Sequence, residues 1–260
     1  MNSEQNRRST ANELFDRAAC YDLGINWSAR LKREIPVLTD VLGPPAAGGL
    51  LDAGCGTGHQ ICALAQNGYR AVGADLSEEM IGIARRAAMN LGVSAEFHVT
   101  PYATLHHTVG GGFDGLFCLG NALAAAGSAD AVRDAIGQFA SCLRSGGRLF
   151  IQIVNFPLMR RDNPCVRGPR VARVGDVEYV SMRHFVFGDE QVEITNITLW
   201  KDSGWKHRAH TGTLYPATVD QLHDWCEASE LRVDDVWGGY DRAPFDPQRS
   251  TDLLISATKA

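Results

Sequence analysis

The stretch LLDAGCGTGHQ, residues 50–60, places Gly54, Gly56 and Gly58 at alternate positions directly after an apolar run. Glycine weakens regular structure, so three so close together mark backbone that must take φ > 0 or be approached closely. The run GLLDAG reads as the end of a buried strand, and TGHQICALAQNG has helical spacing through Ile61, Leu64 and Ala65. Strand, glycine turn and helix N-terminus together predict a small-molecule site at the strand ends of an α/β sheet.

The rest of the chain is read around that unit. Residues 1–10 are polar and expected to be disordered, and residues 11–42 are read as helical, with WSARLKREIPVLTDVL the clearest segment. GPPAAGG (residues 43–49) breaks the helix, and strand and helix then alternate: GLLDAG, Thr57–Asn67, YRAVGAD, a helix to Asn90 capped by Ser77, SAEFHV, FDGLFCLG, a helix over 130–143 and RLFIQIVN. This alternation predicts a parallel, doubly wound sheet. It stops at Asn155. Up to about Tyr215 no good helix is expected, and VEYVSMRHFVF, QVEITNITLW and WKHRAHTGTLY, separated by turn residues, predict an antiparallel β insertion. A helix over 219–229 and the strands LRVDDVWGG and DLLISAT follow. The expected layout is an N-terminal helical cap (1–42), a nucleotide-binding core (43–154), the insertion (155–215) and a closing helix and strands (216–260).

Composition narrows the class. A net charge of −5 argues against a general nucleic-acid or membrane-surface binder. The one concentrated basic stretch, MRRDNPCVRGPRVAR (159–173), is read as a solvated loop. Seven cysteines without C-x-x-C or zinc-like spacing imply a reducing compartment and no metal site. No apolar run of about 18 residues is present, so no membrane span is expected and the chain is read as cytoplasmic.

The glycine pattern is G-x-G-x-G rather than the G-x-G-x-x-G that supports a dinucleotide pyrophosphate, yet Asp75 ends the second strand, where a carboxylate takes ribose hydroxyls. LLDAGCGTG followed by VGADLSEEMIGIARRAA resembles the class I S-adenosylmethionine-dependent methyltransferases, over nearly the whole chain. FCLGNALAAAG, GTLYP and YDLGINWSARLKREIP are similar to segments of the glycine N-methyltransferase group. The resemblance implies a Rossmann-like, mostly parallel seven-stranded sheet with an antiparallel β insertion before the last helix. It implies S-adenosylmethionine as cofactor, with Gly54, Cys55 and Gly56 offering backbone, Asp75 binding ribose, and Leu76 and Met80 covering the adenine. Tyr102 would stand beside the adenine, Leu119 at the sulfonium end, and Arg30 would reach the cofactor carboxylate. Many relatives carry an acid after the third strand; HVTPYATL has none, which leaves backbone or the Thr100 hydroxyl for the adenine amino group.

The methyl acceptor is expected to be a small molecule. Candidate catalytic residues are Tyr215, which the LYP match puts at a pocket roof, Asn121 and Tyr21. Candidate substrate residues are Asn155, Arg183, His184, His210 and Tyr240, and His106–His107 are a further source of a base. Glycine-methylating relatives carry an arginine before the Asn of the fifth strand; here Val154 stands there, which argues against glycine itself and leaves either a less polar acceptor or a carboxylate held elsewhere, by Arg183 or Arg242. Expectation therefore falls on N-methylation of a small amine or secondary metabolite. O-methylation of a hydroxyl or carboxylic acid, a non-catalytic cofactor-binding regulator and a nicotinamide oxidoreductase are the alternatives. The insertion is read as a substrate lid or a homodimer contact.

Overall fold

The computed structural model describes residues 22, 25–162, 166–174, 176–201 and 204–260; Cys20, Tyr21 and Cys165 lie outside them. Helix α1 (Trp27–Leu42) starts at Asn26, whose side chain accepts the Ala29 amide at 3.1 Å. Then β1 (Leu50–Ala53), α2 (His59–Gln66), β2 (Ala71–Asp75), α3 (Glu78–Leu91), β3 (Glu96–Val99), α4 (Leu105–Val109), β4 (Phe113–Cys118), α5 (Ala129–Cys142) and β5 (Leu143–Val154) alternate along the chain. Ser77 caps α3 by accepting the Met80 amide at 3.3 Å, with Glu78 and Glu79 complementing the dipole of the first turn.

The main sheet has seven strands in the order β3-β2-β1-β4-β5-β11-β10, with β10 (Leu231–Trp237) and β11 (Asp252–Lys259) at its far edge. All pairings are parallel except those of β11 with its two neighbours. Strand order reverses between β1 and β4, which opens a crevice at the carboxyl ends of the strands. Successive strand residues serve opposite faces. Leu51, Leu116 and Ile151 pack under α5 and α7 (Val219–Ala228). Leu50, Phe117 and Phe150 pack under α1, α2 and α3. Phe113, Phe117, Phe139, Phe150 and Phe156 are all fully buried. Burial at about 1.5–3 kcal/mol for each such side chain outweighs the surface ion pairs, worth about 0–1 kcal/mol each.

Between β5 and α7 lies a separate four-stranded antiparallel sheet, β6 (Val166–Val174), β7 (Val177–Phe187), β8 (Val192–Lys201) and β9 (Trp205–Leu214). Two sequence expectations are corrected here. The chain after Asn155 does form a helix, α6 (Phe156–Asp162), because Phe156, Leu158 and Met159 insert into the core. The basic stretch is not a solvated loop where it is described: residues 159–162 end α6 and residues 166–173 lie in edge strand β6, exposed enough to be written in arginine.

Gly58 tests the packing between loop and helices. It sits at φ +79°, and a Cβ there would lie 2.8 Å from Ala84 Cβ and 3.0 Å from Phe97. Left-handed backbone costs a non-glycine residue about 1–2 kcal/mol and overpacking about 1–3 kcal/mol. Gly58→Ala is expected to lower Tm by at least about 4 °C at roughly 2–4 °C per kcal/mol; an unchanged melting curve would contradict the packing described.

Candidate functional site

The glycine loop turns its amides inward. The amides of Gly54 and Cys55 both donate to the Ala74 carbonyl, at 2.7 and 3.0 Å, and the Gly56 amide donates to Asp75 Oδ2 at 2.9 Å. These three N–H groups are therefore spent inside the protein. A Cβ added at Gly56 would meet nothing within 4 Å, so the space above it is open, and Gly56 itself is at φ +54°. Asp75 is anchored from both sides, since its Oδ1 accepts the Ser77 amide at 2.8 Å. Each carboxylate oxygen retains a lone pair for a further donor. Leu76 is 72% exposed beside it, Met80 is half-buried, and Cys55 and Leu119 are buried in the core beneath.

The third-strand side differs from expectation. Thr100 is buried, and its hydroxyl is engaged with Thr104 and Thr108, each at 3.0 Å, so it is not available to a ligand. Tyr102 runs under the glycine loop. Its hydroxyl lies 3.4 Å from the Ala53 carbonyl and 3.5 Å from Cys118 Sγ, and burial holds its pKa well above the ordinary value. It would meet a Cβ on Gly54 at 2.8 Å, which is a second reason for that glycine.

The N-terminal side closes on the loop through contacts that no sequence pattern announces. Asp22 accepts from Thr57 Oγ1 at 2.8 Å and from Trp27 Nε1 at 2.9 Å, and its other oxygen is 3.2 Å from His59 Nε2. The Trp27 and His59 rings stack 4.0 Å apart. Arg30 lies against the Trp27 ring, gives its Nε to the buried Glu34 at 2.7 Å, and sets NH2 2.9 Å from where a Gly120 Cβ would stand. At the end of β4 the Gly120 amide donates to Gln152 at 2.7 Å, and Gln152 donates to Asp252 at 2.7 Å. Asn121 takes φ +69°, tolerable for Asn, and accepts the Val154 amide at 3.1 Å. The Tyr240 hydroxyl is buried without a hydrogen-bond partner among the described residues. Burial, then the Glu34 charge, raise its pKa, and Arg30 and Asp252 also act on it.

The second sheet sorts the remaining candidates. Tyr215 docks its amide on the Ala124 carbonyl at 2.8 Å, and its hydroxyl accepts from Gln221 at 2.8 Å. Arg183 aligns with Arg167, Asn196 and His210 across the sheet and so shares a face with them. His184, one residue on, points to the opposite face with Thr195 and cannot join them. Asn155 is also corrected: it is buried, and its amide donates to the carbonyls of Pro247 and Ser250 at 3.1 and 2.8 Å. Arg242 is held by Asp40 and lies over Trp237. His106 and His107 are exposed on α4. Tyr21 lies outside the described residues.

A family model described as "Methyltransferase domain" matches residues 50–147. The chain is 27% identical over 147 residues to the glycine/sarcosine N-methyltransferase of Parasynechococcus marenigrum (strain WH8102), covering 56% of this chain and 52% of that one. It is 31% identical over 111 residues to the ubiquinone biosynthesis O-methyltransferase of Xanthomonas axonopodis pv. citri (strain 306), covering 43% and 45%. The chain thus spans about half the length of these relatives. Among solved structures it shares its fold with CalS10 from Micromonospora echinaspora, an amino pentose methyltransferase involved in calicheamicin biosynthesis, determined with SAM bound. The TM-score is 0.69 at 20% identity, over 93% of this chain and 95% of that one.

One acid in the loop region was read only as part of an apolar strand. Asp52 is 3% exposed in LLDAG. Burial raises its pKa well above the ordinary carboxylate value, Asp75 and Glu34 add to this, and Arg30 opposes it. The native state keeps this proton over a pH range where the unfolded chain, with a pKa of about 3.9, has lost it. Stability from this group is therefore present at low pH and is lost as pH rises toward the raised value. Asp52→Asn removes the titration, and its Tm relative to the parent is expected to be higher at pH 8 than at pH 5. A difference that is flat or falls with pH in paired thermal melts would contradict the assignment.

Proposed function

We infer that this chain, whose residues 50–147 match a methyltransferase domain model, is a class I S-adenosylmethionine-dependent methyltransferase that binds S-adenosylmethionine over the glycine loop and directs its methyl group onto a small molecule. The observation that carries this reading is the inward turn of the Gly54, Cys55 and Gly56 amides. A loop whose N–H groups are spent does not cradle a pyrophosphate, but its carbonyls and open surface suit an amino-acid moiety with a cationic nitrogen. Asp75 would take the ribose hydroxyls and Arg30 the carboxylate, as a guanidinium fork allows. When bound, the group supplies a methyl already activated on a sulfonium. What the protein adds is alignment of the incoming nucleophile, which can contribute on the order of 7–11 kcal/mol.

N-methylation of an amine is the favoured form. A neutral amine attacks with its own lone pair, and an apolar, water-poor setting favours the neutral state. Tyr215, its oxygen already accepting from Gln221, would orient the amine by accepting one of its N–H groups as well, which leaves the nitrogen lone pair free to attack. O-methylation is the second reading, favoured by His210 on the same face of the second sheet as Arg183, where it could take a hydroxyl proton.

Gly56→Ala separates ligand contact from folding. Open space over Gly56 means the added methyl strains only the backbone, by about 1–2 kcal/mol, while it blocks the loop surface. S-adenosylmethionine affinity by calorimetry is expected to fall at least tenfold, with a Tm loss under about 8 °C at roughly 2–4 °C per kcal/mol. Asp75→Ala is expected to weaken affinity similarly. Parent-like binding in both variants would remove the loop from the site. Incubation with methyl-deuterated cofactor and a metabolite extract is expected to yield a trideuteromethyl-labelled amine. Cofactor binding without any S-adenosylhomocysteine would favour a regulatory, non-catalytic role.

A further inference from the structure

Charge on the second sheet is segregated by face. Side chains alternate along each strand, so the register states which stand together. One face carries Phe185, Phe187, Val192 and Leu214, which pack into the core beside Ala124 and Phe156. The same face continues outward with Arg167 and Arg183, then Arg170 and Arg208, then Lys206. Among the described residues of the four strands no aspartate or glutamate shares it. Glu178 and Glu193 stand on the other face, the first beside Arg173 and the second beside Val186.

Five cations on one face run against a chain of net charge −5. Two observations point this face at the crevice. Arg167 lies 5.9 Å over the Phe185 ring, and its charge acts on Asp252. Asp252 pairs with Val154 at the carboxyl end of β5. Arg208 supplies an independent sign of a ligand: its NH1 is buried and has no hydrogen-bond partner among the described residues. A buried guanidinium nitrogen without an acceptor is unfavourable, and an acceptor arriving with a ligand removes that penalty. Tyr179 and Trp200 stack with ring centroids 6.4 Å apart on the same face, giving the cations an aromatic neighbour.

We propose that the methyl acceptor carries an oxyanion, a carboxylate or a phosphate, and that the inner face of the β6–β9 sheet holds it through Arg208, with Arg183 and Arg167 on the same face one row closer to the core. The proposal deepens the methyltransferase reading of this site and rests on it. It also accounts for Val154: an anion gripped from above by the second sheet needs no arginine at the end of β5. Guanidinium groups suit the task, because their forked donors match planar oxyanions.

The test is calorimetric titration of the full chain, saturated with S-adenosylhomocysteine, with benzoate, phenyl phosphate and benzyl alcohol. Either anion is expected to bind at least tenfold more tightly than the neutral alcohol. The stronger of the two identifies the oxyanion as carboxylate or phosphate. Arg208→Gln is expected to weaken the anion at least tenfold and leave S-adenosylhomocysteine affinity within twofold. Arg167→Gln, at an exposed position on the same face, guards against a folding defect at Arg208 and is expected to weaken the anion at least threefold. Equal affinity for all three probes, or anion affinity unchanged in both variants, overturns the proposal while cofactor binding stands. Anion binding without any S-adenosylhomocysteine binding would support the cationic face and overturn the methyltransferase reading beneath it.

Discussion

The amide of Gly56 donates to the carboxylate of Asp75 at 2.9 Å, and this bond joins the ends of β1 and β2 into one surface. It forms only because Gly54, Gly56 and Gly58 all take positive φ, which turns the chain back toward β2 within a few residues. The other elements of the site are arranged around that turn. Tyr102 fills the space beneath it, Gly58 lets α3 and Phe97 approach, and Asp22 ties the segment before α1 to Thr57 and His59. Without the turn, Asp75 would lose one of the two amides that anchor it.

Much of the fold was legible because the physics is local. Parallel strands covered on both sides must be apolar throughout, so β1, β2 and β4 stand out as short apolar runs. Ser77 announces α3 by accepting an amide of its first turn, and in the structure Ser128 and Thr218 cap α5 and α7 in the same way. What was not legible depends on distant partners. Asn155 looks like a ligand-facing amide until Pro247 and Ser250 claim it from more than 90 residues away. Thr100 looks like an adenine contact until Thr104 and Thr108 close around it. Arginine-rich β6 resembles a loop, because an edge strand with one wet face needs few apolar residues. Arg183 and His184 are neighbours in sequence, and only register across β6–β9 sends them to opposite sides.

The two sheets divide the work in this reading. The parallel sheet presents a floor built from backbone and one anchored acid, Asp75, with little freedom to vary. The antiparallel sheet presents side chains, and an alternating strand can change one face without disturbing the other. Relatives named for N- and for O-methylation both match this chain. In this reading, choice of acceptor would lie in the residues of β6–β9 that look inward and in Tyr215.

The most direct measurement is calorimetric titration of the full chain with S-adenosylhomocysteine and, separately, with NADH. A floor with inward-turned amides and Asp75 at the ribose position leads to one S-adenosylhomocysteine bound per chain, displaced by S-adenosylmethionine, with no heat from NADH. Saturable NADH binding with none of S-adenosylhomocysteine would contradict it, because the loop would then have to reopen its amides to hold a pyrophosphate.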